Sequence, residues 1–393
     1  MSNEVSAVRE NQKVFEAAYR HALNYLDDLQ HKDVGAKVGL NELRSRFSQP
    51  LPVNGTPAVE VIDNLVANVE GGLLGCAGGR FYAWVISGGI PSALAADWLT
   101  ATWDQNAALY ACSPAASVVE EVAGEWLKTI FGLPAEASFA FTTGCQLAHF
   151  TSLAAARYAV LKARGWDVNG DGLCGAPRVR IIVSDQRHAS VDRAVRYLGL
   201  GNRSIVSAPT DADGMVDVAS FETLLSSENA PTIVVLDAAD LNIAAIDPFV
   251  TLIPIAKKYN AWVHIDGAFG LFAAASAQKR HLVRGLELAD SWATDGHKWL
   301  NVPFDCGFAF IRDREAHKAS MTITASYIES SSEGATSGPN AVQPARDQID
   351  WNPEWSRKAR GFPVYAALCE LGSAGVEDLV NRYFIHTFHI FIV

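Results

Sequence analysis

The sequence has no long apolar segment, no basic cluster and no paired cysteines, and each absence excludes a class of protein. No apolar run reaches the length of a membrane-spanning helix. The formal net charge is −11 at pH 7 and no run of lysine or arginine offsets it, which argues against a nucleic-acid partner. Six scattered cysteines without a C-x-x-C pair indicate reduced thiols and provide no zinc motif. The N-terminal residues are polar and lack an apolar signal core, so we expect a cytoplasmic protein without membrane attachment.

Two familiar ligand motifs are also absent. No G-x-G-x-x-G follows a predicted strand, which disfavours a nicotinamide-dependent α/β enzyme. Residues 167–172 begin like a calcium-binding loop, but Arg178 stands where that loop needs a glutamate. We therefore predict a surface turn there and no metal site.

Apolar residues are abundant, and their pattern indicates the fold. They form 49% of the 393 residues, enough to fill the core of one large domain with smaller flanking pieces. Beyond residue 113, short β-branched runs alternate with helical stretches, which predicts a mostly parallel sheet with crossover helices. The runs predicted as buried strands are 179–183, 232–236, 262–265 and 308–311.

The N-terminal part is predicted to be mainly helical. Apolar spacing predicts an amphipathic helix over 5–29, a connection to about residue 57 and a helix to about 69. Further helices begin near Pro91 and at Ser113-Pro114. The apolar face of this last helix is expected to consist of Val118, Val122, Trp126, Leu127 and Ile130.

Lys298, within the hexapeptide 295–300 (Asp-Gly-His-Lys-Trp-Leu), is the strongest catalytic candidate. A lysine amine is a nucleophile only without its proton, and a half-buried turn beside His297 is a typical place for one that condenses with an aldehyde. The alternative is an ordinary surface lysine, because lysine is rarely buried unpaired.

Two polar turns indicate where a ligand would bind. Residues 142–146 (Thr-Thr-Gly-Cys-Gln) precede an Ala-rich helix over 147–161, and a helix N-terminus attracts phosphate. His188 follows the strand 179–183, at the carboxyl end where ligands bind in open α/β sheets. An ordinary helix-capping turn and an ordinary polar turn residue are the alternatives.

Asp266 ends a buried apolar strand, where an unpaired carboxylate is costly. No lysine or arginine lies near it in the sequence, so we expect its partner to be the protonated ring nitrogen of a cofactor. Ala268 would leave room for a flat ring beside it. A phosphate anchor, a carboxylate and a Schiff-base lysine are what pyridoxal 5'-phosphate requires, and we predict that cofactor.

In this order, the motifs resemble those of the group II pyridoxal-phosphate-dependent amino-acid decarboxylases, over about residues 55–380. That family includes the aromatic-amino-acid, glutamate, tyrosine and diaminobutyrate decarboxylases. The resemblance implies a fold-type I α/β domain that converts an L-amino acid to its amine and CO2. It also implies that Lys298 bonds the cofactor aldehyde, that Asp266 keeps the pyridine nitrogen protonated and that His188 stacks on the ring.

The resemblance assigns further contacts. The other cofactor-binding positions it implies are Thr143, Gly144, Cys145, Gln146, Asn242, Ala268, Asp295 and His297. The substrate-binding positions are Ser87 and Trp84, in a glycine- and aromatic-rich loop, and Arg357, in a Trp-Ser-Arg segment. Tyr327 lies 29 positions after Lys298 (327 − 298), the spacing of the family's catalytic-loop tyrosine, which implies a proton donor to the substrate carbon.

We predict three regions and a homodimer. The regions are an N-terminal helical segment with the substrate-side loop (1–112), a large pyridoxal-phosphate-binding α/β domain (113–345) and the start of a small C-terminal domain (346–393). The resemblance implies a homodimer with its active site between the subunits, and no membrane or nucleic-acid partner.

Two features depart from the family pattern. Cys145 and Gln146 replace the Gly/Ala and Ser/Thr that are more common in the turn at 142–146, which we call the phosphate turn. Residues 381–393 show neither a helical period nor a resemblance, so we expect a truncated or frame-shifted, incomplete C-terminal domain. The open alternatives are an aldehyde synthase or aldehyde-forming amine oxidase, which product analysis distinguishes, and a catalytically impaired homologue that only binds cofactor.

Overall fold

The computed structural model describes residues 2–86, 88–323 and 345–390, with side chains from residue 10 to residue 382 within these ranges. The chain divides into two compact units, Met1–Gly88 and Gly89–Val393. The three predicted regions, with boundaries near residues 112 and 345, stay a prediction. Within the described ranges, no helix has the length and apolar character needed to cross a membrane.

The first unit is helical. Its helices are Ser2–Asp28 (α1), Leu40–Phe47 (α2) and Ala58–Val69 (α3). The His21 ring contacts the Asp63 carboxylate at 2.6 Å and so joins α1 to α3. Arg46 donates to the carbonyl of Glu70 at 2.7 Å and joins α2 to the end of α3. The amphipathic first helix and the helix ending at 69 are as predicted, whereas α2 lies in the stretch predicted as a connection.

The second unit is built on a seven-stranded sheet with the order β1-β7-β6-β5-β4-β2-β3. Its strands are Ser138–Thr142 (β1), Arg180–Ser184 (β2), Ile205–Ala208 (β3), Thr232–Asp237 (β4), Trp262–Asp266 (β5), Ser291–Asp295 (β6) and Gly307–Ile311 (β7). Among these seven described strands, β7 alone runs in the opposite direction to the others, so the predicted mostly parallel sheet is confirmed.

Helices cover both faces of the sheet. They are Pro91–Trp103 (α4), Pro114–Phe131 (α5), Cys145–Lys162 (α6), Val168–Asp171 (α7), Ala189–Tyr197 (α8), Val218–Ser226 (α9), Phe249–Lys258 (α10), Arg314–Met321 (α11) and Gly361–Ile390 (α12). Helix α12 is interrupted at Gly372, whose φ of 59° is readily adopted only by glycine.

Side-chain alternation along the strands creates two buried cores. In β7, Phe308 and Phe310 belong to the core that includes α5, α10 and α12, whereas Ala309 and Ile311 belong to the core around α6 and α8. The same alternation in β5 places Val263 and Ile265 in the first core. The intervening polar residues of β5 therefore face α6.

The predicted apolar face of α5 is only partly correct, since Leu127 and Ile130 face the core. Leu127 is buried, but Val118 and Trp126 are 50% and 38% exposed. A Cβ on Gly124 would lie 2.3 Å from the Phe139 ring, so the small residues of α5 allow the helix to lie close to β1. Val118 and Trp126 consequently point away from the sheet.

The expectation that residues 381–393 lack helical structure is also wrong. Helix α12 continues through Ile390, and residues 391–393 lie outside the described part of the chain. The short helix α7 agrees with the predicted surface turn at 167–172. Its N-cap, Asp167, accepts hydrogen bonds from the backbone of Asn169 and Gly170, as an ordinary helix cap does.

Candidate active site

Three buried carboxyl groups meet at the carboxyl edge of the parallel strands. Asp237, Asp266 and Asp295 end the adjacent strands β4, β5 and β6, and their exposed fractions are 7%, 7% and 3%. Strand β1 ends at the same edge with Thr142, and the antiparallel β7 begins there with Gly307. Because buried carboxylates need cations or N–H donors, this edge is where polar groups must converge.

Lys298 and Asp295 form the first pair at this edge. The Lys298 Nζ lies 3.1 Å from Asp295 Oδ2, and the lysine side chain is 22% exposed. Burial acts to lower the pKa of Lys298, but the Asp295 carboxylate, Cys145 and Asp266 outweigh it and leave the pKa above its ordinary value. The ammonium form of Lys298 is therefore favoured beside Asp295, and its role as a nucleophile stays a prediction.

Glycines let the phosphate turn approach Asp295. Asp295 Oδ1 accepts the Cys145 backbone N–H at 2.6 Å, at the first residue of α6. A Cβ on Gly307 would lie 2.5 Å from the Cα of Gly144, and a Cβ on Gly144 would lie 3.2 Å from the His297 ring. The turn therefore packs directly on the segment that carries Lys298, as glycine's missing side chain permits.

Asp266 has partners within the protein. Its Oδ1 accepts the Ala268 N–H at 3.1 Å, and its Oδ2 lies 3.3 Å from His149 Nε2. Burial acts to raise the pKa of Asp266, but His149 and the Ala268 N–H outweigh it and hold the pKa well below its usual range. Asp266 thus has a buried histidine as a partner, which the sequence analysis did not name, and its contact with a cofactor nitrogen stays a prediction.

The pKa of the neighbouring carboxyl, Asp237, is shifted in the opposite direction. Burial, then the charges of Asp266 and Asp247, raises the pKa of Asp237 well above its ordinary value. Paired carboxyl groups whose pKa values diverge are typical of sites where one group must stay ionised. Asp266 is the ionised member here.

Behind Asp266 lies a row of buried polar side chains. His149 Nδ1 is 2.9 Å from His264 Nε2, and His264 Nδ1 is 2.9 Å from Ser291 Oγ. The Trp262 indole N–H also donates to Ser291 Oγ at 2.9 Å. Burial and the nearby His149 lower the pKa of His264 to about 3, so this ring is neutral.

The sequence analysis missed His149 and His264, although spacing points to both. His149 is four residues after Cys145 on α6, and therefore lies on the same helix face. His264 is two residues before Asp266 on β5, and therefore lies on the same face of the sheet. Because Cys145 and Asp266 were already candidates, these two spacings mark His149 and His264 as further candidates.

The Cys145 thiol lies 3.4 Å from His149 Nε2, and one ligand atom each from Cys145, His149 and Asp266 lies within 4.8 Å of the others. Burial, with the charges of Asp295 and Asp266, raises the pKa of Cys145 well above its ordinary value. Because the thiolate is the metal-binding form, we interpret the cluster as a hydrogen-bonded network. The absence of a metal site stays a prediction.

His297 presents an N–H group near Asp295. Its Nδ1 accepts the Cys306 backbone N–H at 3.2 Å, and its Nε2 lies 3.5 Å from Asp295 Oδ1. Burial lowers the pKa of His297, so the ring is neutral and its single proton lies on Nε2. The Phe304 ring packs on this imidazole with ring centroids 4.3 Å apart.

The structure places His188 at the N-terminus of α8. Its Nδ1 accepts the Ser190 backbone N–H at 3.2 Å, and the ring is exposed. Gln146 Nε2 donates to the carbonyl of Ser190 at 3.1 Å, so the first turns of α6 and α8 are neighbours. Thr143 is half-buried in the turn before α6. The stacking of His188 on a cofactor ring stays a prediction.

Four predicted positions remain: Asn242, Trp84, Ser87 and Tyr327. Asn242 is exposed in the loop after β4, where its backbone N–H donates to Asp240 at 2.7 Å. Trp84 belongs to the first unit and is 72% exposed. Ser87 and Tyr327 lie outside the described residues. The roles of these four residues stay predictions.

The substrate role predicted for Arg357 does not agree with its placement. The side chain has an exposed fraction of 0% and contacts Glu120 at 2.7 Å. It also donates to the carbonyls of Phe141 at 2.6 Å and Ala107 at 3.1 Å. A guanidinium without exposed surface is unavailable to a substrate, and Arg357 instead supports β1 just before the phosphate turn.

The cluster fits pyridoxal 5'-phosphate. Lys298 supplies an amine for the aldehyde, and Asp266 supplies an ionised carboxylate for the ring nitrogen. The N-terminus of α6 and the Nε2–H group of His297 supply donors suited to a phosphate. Contacts run without a break from Lys298 through Asp295, Cys145 and His149 to Asp266.

Comparisons with known proteins identify two decarboxylases among the relatives of this chain. The chain is 26% identical to an aromatic-L-amino-acid decarboxylase of Bacillus atrophaeus over 364 residues, which cover 92% of this chain and 72% of that protein. It is 28% identical to an L-2,4-diaminobutyrate decarboxylase of Rhizobium meliloti over 292 residues, which cover 73% of this chain and 55% of that protein.

Solved structures show the same fold. The crystal structure of Oryza sativa TDC with PLP and tryptamine has a TM-score of 0.85 at 23% identity, covering 94% of this chain and 76% of that one. The crystal structure of mouse CSAD has a TM-score of 0.85 at 21% identity, covering 98% of this chain and 78% of that one.

The family profile described as the pyridoxal-dependent decarboxylase conserved domain matches residues 41–387, which include the whole sheet and every member of the Lys298–Asp266 cluster. The chain belongs to the pyridoxal-dependent decarboxylase family.

Proposed function

We propose that the protein removes the carboxylate of an L-amino acid as CO2 and releases the amine, with pyridoxal 5'-phosphate as cofactor. The observation that carries this proposal is the convergence of Lys298, Asp295 and Asp266 at one edge of the sheet. When bound, the cofactor supplies the electron sink that decarboxylation of an amino acid needs.

The charge state of each side chain in the site suits it to a different role in binding the cofactor. Asp266 stays ionised because His149 and the Ala268 N–H stabilise the carboxylate, so it is suited to hold a proton on the ring nitrogen. Asp295 aligns Lys298 and also fixes the first N–H of α6, which couples the amine to the phosphate end of the site. The neutral His297 is suited to donate from Nε2 to a phosphate oxygen.

An aromatic L-amino acid is the substrate class that we favour. The aromatic-L-amino-acid decarboxylase of Bacillus atrophaeus and the tryptophan decarboxylase 1 of Oryza sativa match over 92% and 91% of the chain. The diaminobutyrate decarboxylase matches over only 73%. A screen for CO2 release should therefore start with tryptophan, tyrosine and DOPA and include 2,4-diaminobutyrate as the contrasting substrate.

Lys298→Ala tests the cofactor assignment. The purified wild-type protein should absorb visible light through its Schiff base, and borohydride should fix the cofactor to the peptide that contains Lys298. The variant should lose both signals and CO2 release, because the amine is gone. Lys257→Ala is the matched control, since Lys257 also pairs with an aspartate, Asp290, but lies at the surface. Labelling of another lysine in the wild-type protein would contradict the assignment.

We also infer a homodimer and a cytoplasmic location. Aromatic side chains on α4, α5 and α12 are exposed, including Trp98 at 42%, Trp103 at 47% and Trp126 at 38%. Exposed apolar groups clustered on packed helices are typical of protein–protein interfaces. The cytoplasmic location rests on six cysteines without a disulfide.

A further inference from the structure

His149 is the side chain on which the state of Asp266 depends, and the sequence motifs assign it no role. It is fully buried on α6, and its two ring nitrogens contact different partners. Nε2 lies 3.3 Å from Asp266 Oδ2, and Nδ1 lies 2.9 Å from His264 Nε2. A nitrogen this close to an ionised carboxylate must carry a proton, because two acceptors would repel each other.

The second contact fixes the ring in place. His264 lies on β5 two residues before Asp266, so the strand that carries the carboxylate also carries the group that orients its partner. His264 is in turn held by Ser291 of β6, which accepts the Trp262 indole N–H. Three buried elements, α6, β5 and β6, thus fix the distance between His149 and Asp266.

We propose that His149 is a positioning residue for the cofactor's ring nitrogen: by donating from Nε2 to Asp266 Oδ2, it keeps that carboxylate ionised and aimed at the pyridine. This inference rests on the cofactor assignment above and adds a residue to it. The Ala268 N–H binds only the other oxygen, Oδ1. Without the His149 donor, burial alone would favour the neutral carboxylic acid, which is a poorer partner for a protonated ring nitrogen.

The experiment compares two cofactors that differ only at the atom in question. The apoprotein is titrated with pyridoxal 5'-phosphate and with its 1-deaza analogue, in which a C–H group replaces the ring nitrogen. Both carry the aldehyde and the phosphate, so the ratio of their dissociation constants isolates the contact between the ring nitrogen and Asp266. The ratio is a binding measurement and does not depend on turnover.

Two substitutions separate the contacts of His149. His149→Asn places its amide near the Nδ1 position and is too short to reach Asp266, whereas His149→Gln places an N–H near the Nε2 position. We expect His149→Asn to reduce the preference for pyridoxal phosphate over the analogue by roughly tenfold or more, the effect of a lost charge-assisted hydrogen bond. His149→Gln should recover most of that preference.

The matched control is His317→Asn. His317 is also fully buried and also bonded through both ring nitrogens, to Ser138 Oγ and the Trp351 carbonyl, each at 2.8 Å. Both of these partners lie outside the cluster, so the substitution should leave the preference within about twofold of wild type, inside the scatter of distant sites.

The outcomes distinguish this inference from the proposed function. If neither aldehyde binds the wild-type chain, the cofactor assignment fails. If both bind and His149→Asn keeps the wild-type preference, or His317→Asn reduces it equally, the role of His149 is overturned. If His149→Asn gives no folded protein, side-chain ¹⁵N NMR of the wild-type apoprotein decides. The His149 signals are assigned by their loss in His149→Gln. A protonated Nε2 supports the role of His149, and an unprotonated Nε2 overturns it.

Discussion

At the scale of single residues, the backbone of the loop after β4 is strained at two alanines. Ala239 and Ala244 have φ values of 70° and 59°, in the left-handed region that glycine adopts readily and other residues avoid. The Asp240 carboxylate holds the loop in this shape by accepting the N–H groups of Asn242, Ile243 and Ala245.

Ala239→Gly and Ala244→Gly should therefore each stabilise the protein. Relief of about 1–2 kcal/mol of backbone strain exceeds the entropy cost of glycine, and we expect a net gain of roughly 0.5–1 kcal/mol in the free energy of unfolding. Urea denaturation measures it. Ala67→Gly, at an exposed position of α3, is the matched control and should destabilise by roughly 0.5–1 kcal/mol. Losses of similar size in all three variants would contradict the strain argument.

Tyr327 provides a second test at this scale. We expect Tyr327→Phe to bind cofactor normally, form amine much more slowly and produce oxygen-dependent aldehyde, because the phenol is proposed to protonate the substrate carbon. Amine and hydrogen peroxide are measured in parallel. Tyr197→Phe, at an exposed position of α8, is the control for loss of a phenol. An unchanged amine yield from Tyr327→Phe would show that another group donates the proton.

Single residues also show how far the sequence predicts the site. Asp295, His297 and Lys298 are consecutive or nearly so, and Asp266 and Ala268 share one strand end, so local motifs sufficed for them. The partners of His149 and Arg357 were beyond such motifs, because they are 115 and 237 residues away (His264 for His149, Glu120 for Arg357). Only packing of α6 against β5, and of residue 357 against α5, reveals what they bind.

At the scale of elements, His317 joins α11 to β1 and to the segment at Trp351. Burial, with the charge of Arg346, lowers the pKa of His317 to about 3, against a value near 6.5 in the unfolded chain. Below pH 6.5 the unfolded chain binds a proton that the folded chain does not. The contribution of this group to stability is therefore complete above pH 6.5 and decreases as the pH falls from there towards 3.

We predict that His317→Asn lowers stability at pH 7.5 but flattens its decrease with acidity. Between pH 7.5 and 5.5, the wild-type chain should lose about 1.4 kcal/mol more of its unfolding free energy than the variant does. His264 is buried and neutral in both proteins, so its contribution cancels. Urea denaturation at the two pH values measures the difference, and equal losses would show that His317 is not buried in its neutral form.

The elements also show what sequence patterns miss. Strands β2, β4, β5 and β7 were predicted from apolar runs that are buried on both faces. Strand β6 (Ser-Trp-Ala-Thr-Asp) has only two apolar residues, and it becomes a buried strand because β5 and β7 pair with both its edges. The buried face of α5 depends in the same way on Gly124 and Phe139, a contact that helical periodicity does not encode.

At the scale of the whole molecule, the exposed aromatic side chains on α4, α5 and α12 predict a dimer. Substitution of one of them should dissociate it. Trp126 of α5 stacks on Tyr365 of α12 with ring centroids 5.2 Å apart, and both are more than a third exposed. Trp126→Glu should shift the mass measured by light scattering from twice the 42.3 kDa of one chain towards the monomer. Tyr197→Glu, on the opposite side of the sheet at α8, should leave the mass unchanged. A wild-type protein of 42.3 kDa would contradict the dimer.

The edge position of β1 has a consequence for the order of assembly on the ribosome. Among the seven described strands, β1 pairs only with β7, and β1 ends at residue 142 whereas β7 begins at residue 307. At bacterial or eukaryotic synthesis rates, roughly ten to thirty seconds separate their translation. During that interval β2, β4 and β5 are able to pair with each other, whereas β1, which precedes the turn at 142–146, has no strand to pair with until β7 is made. We therefore expect the turn at 142–146 to close on Lys298 only after β7 has emerged, so that the cofactor binds once the central strands have paired.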